Sequence, residues 1–193
     1  MKNKLVMAAG GMLCLCAMVF GQENYAQWHA YRTVMLSNTN SITGGTVTNF
    51  PVLVRLSSSN FDFSKSSATG SDVRFAKQNG TTHLPYQIER WDTASHTAAV
   101  WVLVDTITSG ATGATVRMYY GKSGSADSSR GDLVFSTTNN YQGVFHLGEA
   151  AGDTARDATG NRFKGIPKNR GGNPPEFKSA ACHRSGPKWR ECY

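Results

Sequence analysis

The chain has 193 residues, 39% of them apolar and 17% charged, with a formal net charge of +7. That length admits one domain with a real core and part of a second. The excess charge sits at the ends: residues 1–21 carry two lysines, Arg162–Tyr193 carries eight Lys/Arg against two Asp/Glu, and Gln22–Asn161 carries ten against eleven. A body so nearly neutral has no long-range attraction for nucleic acid or anionic lipid, so no nucleic-acid partner is expected.

Lys2 and Lys4 open the chain, and an uncharged, largely apolar run follows from Leu5 to Phe20. Val19 and Gly21 stand where a signal peptidase reads, with cleavage before Gln22. Residues 1–21 thus have the layout of a secretory signal. A run of about 16 apolar residues is short of the ~20 that a membrane span needs. The alternative is an uncleaved N-terminal anchor; otherwise membrane contact would need a further domain downstream. Neither Cys14 nor Cys16 follows the small residue that lipidation requires. The expected location is extracytoplasmic: secreted, periplasmic or at the cell surface.

The body reads as all-β. Tyr31–Leu36 and Asp72–Ala76 are readable strands. Val52, Val54 and Leu56 alternate with Leu53 and Arg55, Tyr86 and Ile88 with Gln87 and Glu89, and Val116, Met118 and Tyr120 with Arg117 and Tyr119. Period-two alternation marks half-buried strands. Ala99–Val104 is apolar on both faces and belongs at the centre of a sheet. Turn chemistry punctuates these runs at Thr43-Gly44-Gly45, Thr69-Gly70-Ser71, Asn79-Gly80, Ser109-Gly110 and Ala111–Gly113. No helical periodicity intervenes, and the pattern predicts a β-sandwich or jelly roll. Ser57–Ser71 reads as a long surface loop from which Phe61 and Phe63 return to the core. Gly121–Asp132 reads as the exit from the first domain, which occupies residues 22–135. A second, incomplete β domain is expected over residues 136–165. Residues 166–193 hold four of the six prolines and no strand pattern. They are expected to be a disordered basic tail, of the texture left when a chain breaks off or changes frame; the alternative is a basic arm for an acidic surface. A Cys182–Cys192 disulfide, possible in an oxidising compartment, would staple only that tail.

The ordered series Trp28-x-x-Tyr31-Arg32, Asn49-Phe50-Pro51-Val52-Leu53-Val54, Ser71-Asp72-Val73-Arg74-Phe75, Leu84-Pro85-Tyr86-Gln87-Ile88-Glu89, Trp91, Ala99-Val100-Trp101-Val102 and Met118-Tyr119-Tyr120-Gly121 resembles the domain of unknown function 2341 (DUF2341) family. The resemblance covers Trp28 to Phe135. It implies a module of secreted or envelope proteins. Gly143–Glu149 with Asp157–Asn161 is similar to the opening of a concanavalin A-like lectin/glucanase (laminin-G-like) domain, which family members often carry next. Some relatives precede a proton-channel domain of the MotA/TolQ/ExbB type. The family has no established catalytic residues, so the resemblance assigns none here.

The chemistry-bearing residues point the same way. His29, His83, His96, His146 and His183 are accompanied by no Gly-x-Ser-x-Gly elbow. His83 and His146 read as strand-end residues bonded to backbone. Glycoside hydrolysis needs two carboxylates about 5 to 10 Å apart; among Glu89, Asp92 and Glu149, alternation puts Glu89 on a solvent face. Asp153, Asp157 and Asn161 recur every fourth residue in a Gly-containing loop, the oxygen chemistry of Ca²⁺ but without EF-hand spacing. Calcium is the one cofactor considered, and turn Asp/Asn more often bond their own backbone. No zinc-type spacing occurs. Trp28, Trp91 and Tyr119 are candidate sugar-stacking rings. Arg130-Gly131-Asp132 spells an adhesion tripeptide within the expected linker. The expectation is a non-catalytic extracytoplasmic module that binds a polysaccharide or another envelope component. The alternatives are a structural envelope module, or an accessory domain of a polysaccharide hydrolase.

Overall fold

A computed structural model describes residues 23–38, 45–108, 110–149, 154–166 and 180–183. Residues 1–22, on which the expected signal falls, Thr43 and Gly44, Ser109, Asp153, Cys192 and most of the basic tail lie outside the described residues. So does one partner of the Cys182–Cys192 disulfide.

Alternation builds two antiparallel sheets. One has the strand order β1 (Ala30–Asn38), β7 (Gly110–Tyr120), β3 (Arg74–Lys77), β4 (His83–Leu84); the other has β2 (Val47–Ser57), β6 (Thr97–Ile107), β5 (Tyr86–Asp92). Strand β6 is central, as its two apolar faces require. Val100, Val102 and Val104 point to the core, where all are at most 2% exposed. Facing them across the sandwich are Phe75 and Val73 from β3 and its entry, and Val116 and Met118 from β7. Phe61 and Phe63 close one end of this core, edge-on to each other at 5.0 Å. The β3–β4 turn is set by Asn79, whose Oδ1 accepts from Thr81 and Thr82 N–H, and by Gly80 at φ +75°. A Cβ on Gly80 would meet Arg117 and Tyr119 side chains at 2.4 and 2.8 Å.

Both outer faces are partly covered. Tyr25 and Trp28, from the segment before β1, lie over Ala76 and Tyr119; the Tyr25 and Tyr119 rings stack at 4.3 Å. Beneath Trp28 runs Asp72-Val73-Arg74-Phe75. Its apolar members face the core, and its charged members, 2% and 3% exposed, face the covering segment. On the other sheet, Trp101 and Leu103 of β6 pack under Val134, Phe135 and Val144. Val134 closes the short helix α1 (Gly131–Val134), Phe135 caps it, and Val144 belongs to β8 (Tyr141–Phe145). The expected exit linker is therefore not a free spacer. Arg130 N–H donates to Tyr86 O at 2.7 Å, and Ile88 N–H to Ser129 Oγ at 2.9 Å, laying residues 129–130 along β5.

Beyond β8 come β9 (Ala155–Arg156) and β10 (Lys164–Gly165), paired with each other, and β11 (Ala180–His183), paired with β8. Among the described residues no helix is long and apolar enough to cross a membrane.

Candidate functional site

The covering layer leaves a cleft of about 760 Å³ between the β5 edge with residues 129–132 and the β9–β10 hairpin. Its walls carry Gln87, Glu149, Arg156, Arg162, Phe163 and Lys164. That is the size of a small-ligand site. One carboxylate fixes the hairpin. Asp157 Oδ1 accepts from Val144 and Thr159 N–H, both at 2.9 Å, and Oδ2 accepts from Thr159 Oγ1 at 2.7 Å and Phe163 N–H at 3.1 Å. All four lone-pair positions are then occupied. The consequence for Phe163 is a ring anchored through its backbone yet 51% exposed at the cleft. Arg162, on the cleft wall, holds a left-handed conformation at φ +53°, unusual for a side-chain-bearing residue; such strain gathers at functional sites.

Polar groups converge on the cleft from below. Glu149 Oε1 accepts from Arg156 N–H at 2.8 Å, while its Oε2 is buried without a hydrogen-bond partner. Gln87 Oε1 bonds His146 Nε2 at 3.1 Å. His146 Nδ1 lies 3.4 Å from Glu89 Oε2, which also accepts from Trp101 Nε1 at 2.5 Å. Glu89 is thus covered by the 131–146 layer, not on a solvent face; alternation assigns the face correctly but says nothing of what lies over it. His146 and His83 bond side chains, not backbone. The partner of His83 is the Tyr25 hydroxyl, 3.0 Å from Nδ1.

Burial pushes the His146 and His83 imidazoles below their ordinary pKa; Glu89 and Glu149 oppose the shift at His146, and Glu23 opposes it at His83 while Arg74 adds to it. The unfolded imidazole, titrating near pH 6.5, therefore binds protons where the folded one does not. Stability from this source is complete above about pH 6.5 and is lost as pH falls from there toward the folded values. Urea midpoints should drop between about pH 7 and pH 5, above the carboxylate range, and the drop should shrink in His83→Gln/His146→Gln. An equal drop in that variant would assign the effect elsewhere.

Two of the three sugar-stacking candidates occupy the interior. Trp28 and Tyr119 are 7% and 6% exposed. Trp28 donates its indole N–H to Asp72 O at 2.6 Å. Trp91 packs edge-on against Phe61 and Phe63, with its Nε1 buried and unpaired. Trp28 and Tyr119 present no free ring face, and Trp91 is partly buried against the core. Asp157 and Asn161 do not form a cation site: Asp157 is saturated by protein donors and Asn161 Nδ2 donates to Gln142 O. Asp153, the third member, lies outside the described residues, and among the described ones no three His/Cys/Asp/Glu converge as a metal site. Arg130 and Asp132 bond each other at 2.7 and 2.8 Å. A Cβ on Gly131 would meet Ala158 O at 2.7 Å, so the tripeptide is packed, not displayed on a loop. Sequence reasoning missed Phe163 because it stands alone between Arg162 and Lys164, with no apolar neighbour to mark it.

Fold and cleft define a two-layer antiparallel β module with a polar cleft. A family model described as a domain of unknown function (DUF2341) matches residues 69–150, beginning after Trp28 and ending beyond Phe135. The match takes in β3 to β8 and the Gln87–Glu89–His146 cluster. No curated protein and no solved structure matches the chain.

Proposed function

We propose that the protein is a non-catalytic, extracytoplasmic module that binds a polysaccharide through the cleft beside the β9–β10 hairpin. The carrying observation is the Phe163 ring, half exposed among Gln87, Glu149, Arg156, Arg162 and Lys164. A pyranose has an apolar face for a ring and hydroxyls for amides, carboxylates and guanidinium groups, and this surface offers both kinds of contact. Export rests on the basic-then-apolar layout of residues 1–21.

Affinity electrophoresis tests it. The full chain should be retarded in gels containing a glucan or a xylan, and Phe163→Ala should abolish the retardation with an unchanged urea midpoint, since the ring is exposed. Retardation by no polysaccharide, or retardation untouched by Phe163→Ala, would overturn the assignment. Trp91→Ala is unsuitable as a probe, because that indole is part of the core.

A further inference from the structure

A second cleft, of about 700 Å³, opens at the other outer face, between residues 64–71 and 120–125 with His29 at its edge. Two buried charges fix its walls. Asp72 Oδ1 accepts from Ser67 N–H at 2.9 Å and Oδ2 from Gly121 N–H at 2.7 Å, tying both walls to one carboxylate. Arg74 Nη2 donates to Ser125 Oγ at 3.1 Å and Ala126 O at 2.8 Å. Gly121, at φ +88°, lets the walls approach; a Cβ there would stand 3.3 Å from Lys65 O.

The lining is hydroxyl-rich and cationic. Ser64, Ser66, Ser67, Ser71, Ser123 and Ser125 contribute hydroxyls, and Lys65, Lys122 and His29 contribute nitrogen groups. Lys122 Nζ lies 4.4 Å above the Trp28 ring centroid, which positions the ammonium without neutralising it. Lys65 makes only an exposed 3.5 Å pair with Asp62, of little strength. Asp72 is the one carboxylate among the lining residues, and both its oxygens are committed to the walls. A ligand here meets donors for an anion and hydroxyls for a polyol at once. From this combination we infer that the cleft between residues 64–71 and 120–125 binds an anionic saccharide, its carboxylate between Lys65 and Lys122 and its hydroxyls on the serines.

The inference is independent of the Phe163 cleft, and calorimetric titration of the full chain separates the two. An oligogalacturonate should bind, and a neutral xylan oligomer should not bind at this cleft. Lys65→Gln/Lys122→Gln should weaken oligogalacturonate by about tenfold or more, the scale of losing charge-assisted bonds. Phe163→Ala should leave it unchanged. Affinity should fall with added salt. Oligogalacturonate binding that survives the double substitution, or no binding at all, would overturn the inference. Inorganic phosphate bound as tightly as the oligouronate would also overturn it, reducing the cleft to a general anion site.

Discussion

Arg74→Ala should cost on the order of 3 to 5 kcal/mol in urea unfolding, the scale of breaking a buried charged network. The guanidinium is 3% exposed and bonds in every direction. Its Nε reaches both carboxylate oxygens of Glu23 at 2.8 Å. Its Nη1 serves Ser71 O, Val73 O and the Tyr86 hydroxyl, and its Nη2 serves Ser125 Oγ and Ala126 O. Glu23 is 29% exposed and can turn to water after the substitution. Tyr86 cannot, being fully buried; burial already pushes its phenol up to about 12. The cost therefore comes from orphaned acceptors, not from the loss of the Glu23 pair. Lysine has no planar fork to reach partners on several sides. Arg74→Lys should consequently lose about half as much or more, although the charge is kept. A loss below about 1 kcal/mol for the alanine variant would show that these acceptors reach water.

The same arginine shows where sequence reading stops. The sequence pattern marks Asp72–Ala76 as a strand, and β3 forms over its second half, with Val73 and Phe75 in the core and Asp72 and Arg74 on the opposite side. It cannot say that Tyr25 and Trp28, more than forty residues earlier, lie over the outward face. Trp28 and Tyr119 fail as platforms for related reasons: a ring's face is legible from period two, but its cover depends on long-range packing. Glu89 and Gln87 repeat the lesson on the other sheet, under Phe135 and His146. What was legible is the part set by local pattern: the central place of β6, the return of Phe61 and Phe63 to the core, and the Asn79-Gly80 turn. The Phe163 cleft was not legible, because its floor comes from β5 and its rim from the β9–β10 hairpin. Only the saturated Asp157, a turn residue bonding nearby backbone, was foreshadowed by composition.

Among the described glycines, Gly70→Ala should be one of the most damaging one-methyl changes. Gly70 is buried at φ +70° in the turn before β3. A side chain in that conformation costs about 1 to 2 kcal/mol. The added carbon would also stand 2.5 and 2.6 Å from Cδ2 and Cε3 of Trp91. The indole cannot withdraw, since Phe61 and Phe63 hold it edge-on at 5.8 and 5.4 Å. Overpacking of this kind costs about 1 to 3 kcal/mol more, so the total is about 2 to 5, against a typical stability of about 5 to 15. The two contributions separate in a double-mutant cycle. Trp91→Leu alone opens a cavity and destabilises, but it removes the ring that the new methyl strikes. In that background Gly70→Ala should cost only the backbone portion, about 1 to 2 kcal/mol. An equal cost in both backgrounds would mean that the turn conformation, not the indole, selects glycine here. The turn also presents Ser67 and Ser71 to the hydroxyl-lined cleft, their Oγ atoms 3.0 Å apart. A Gly70→Ala protein that still folds should therefore bind oligogalacturonate more weakly, although no group that touches the ligand has changed.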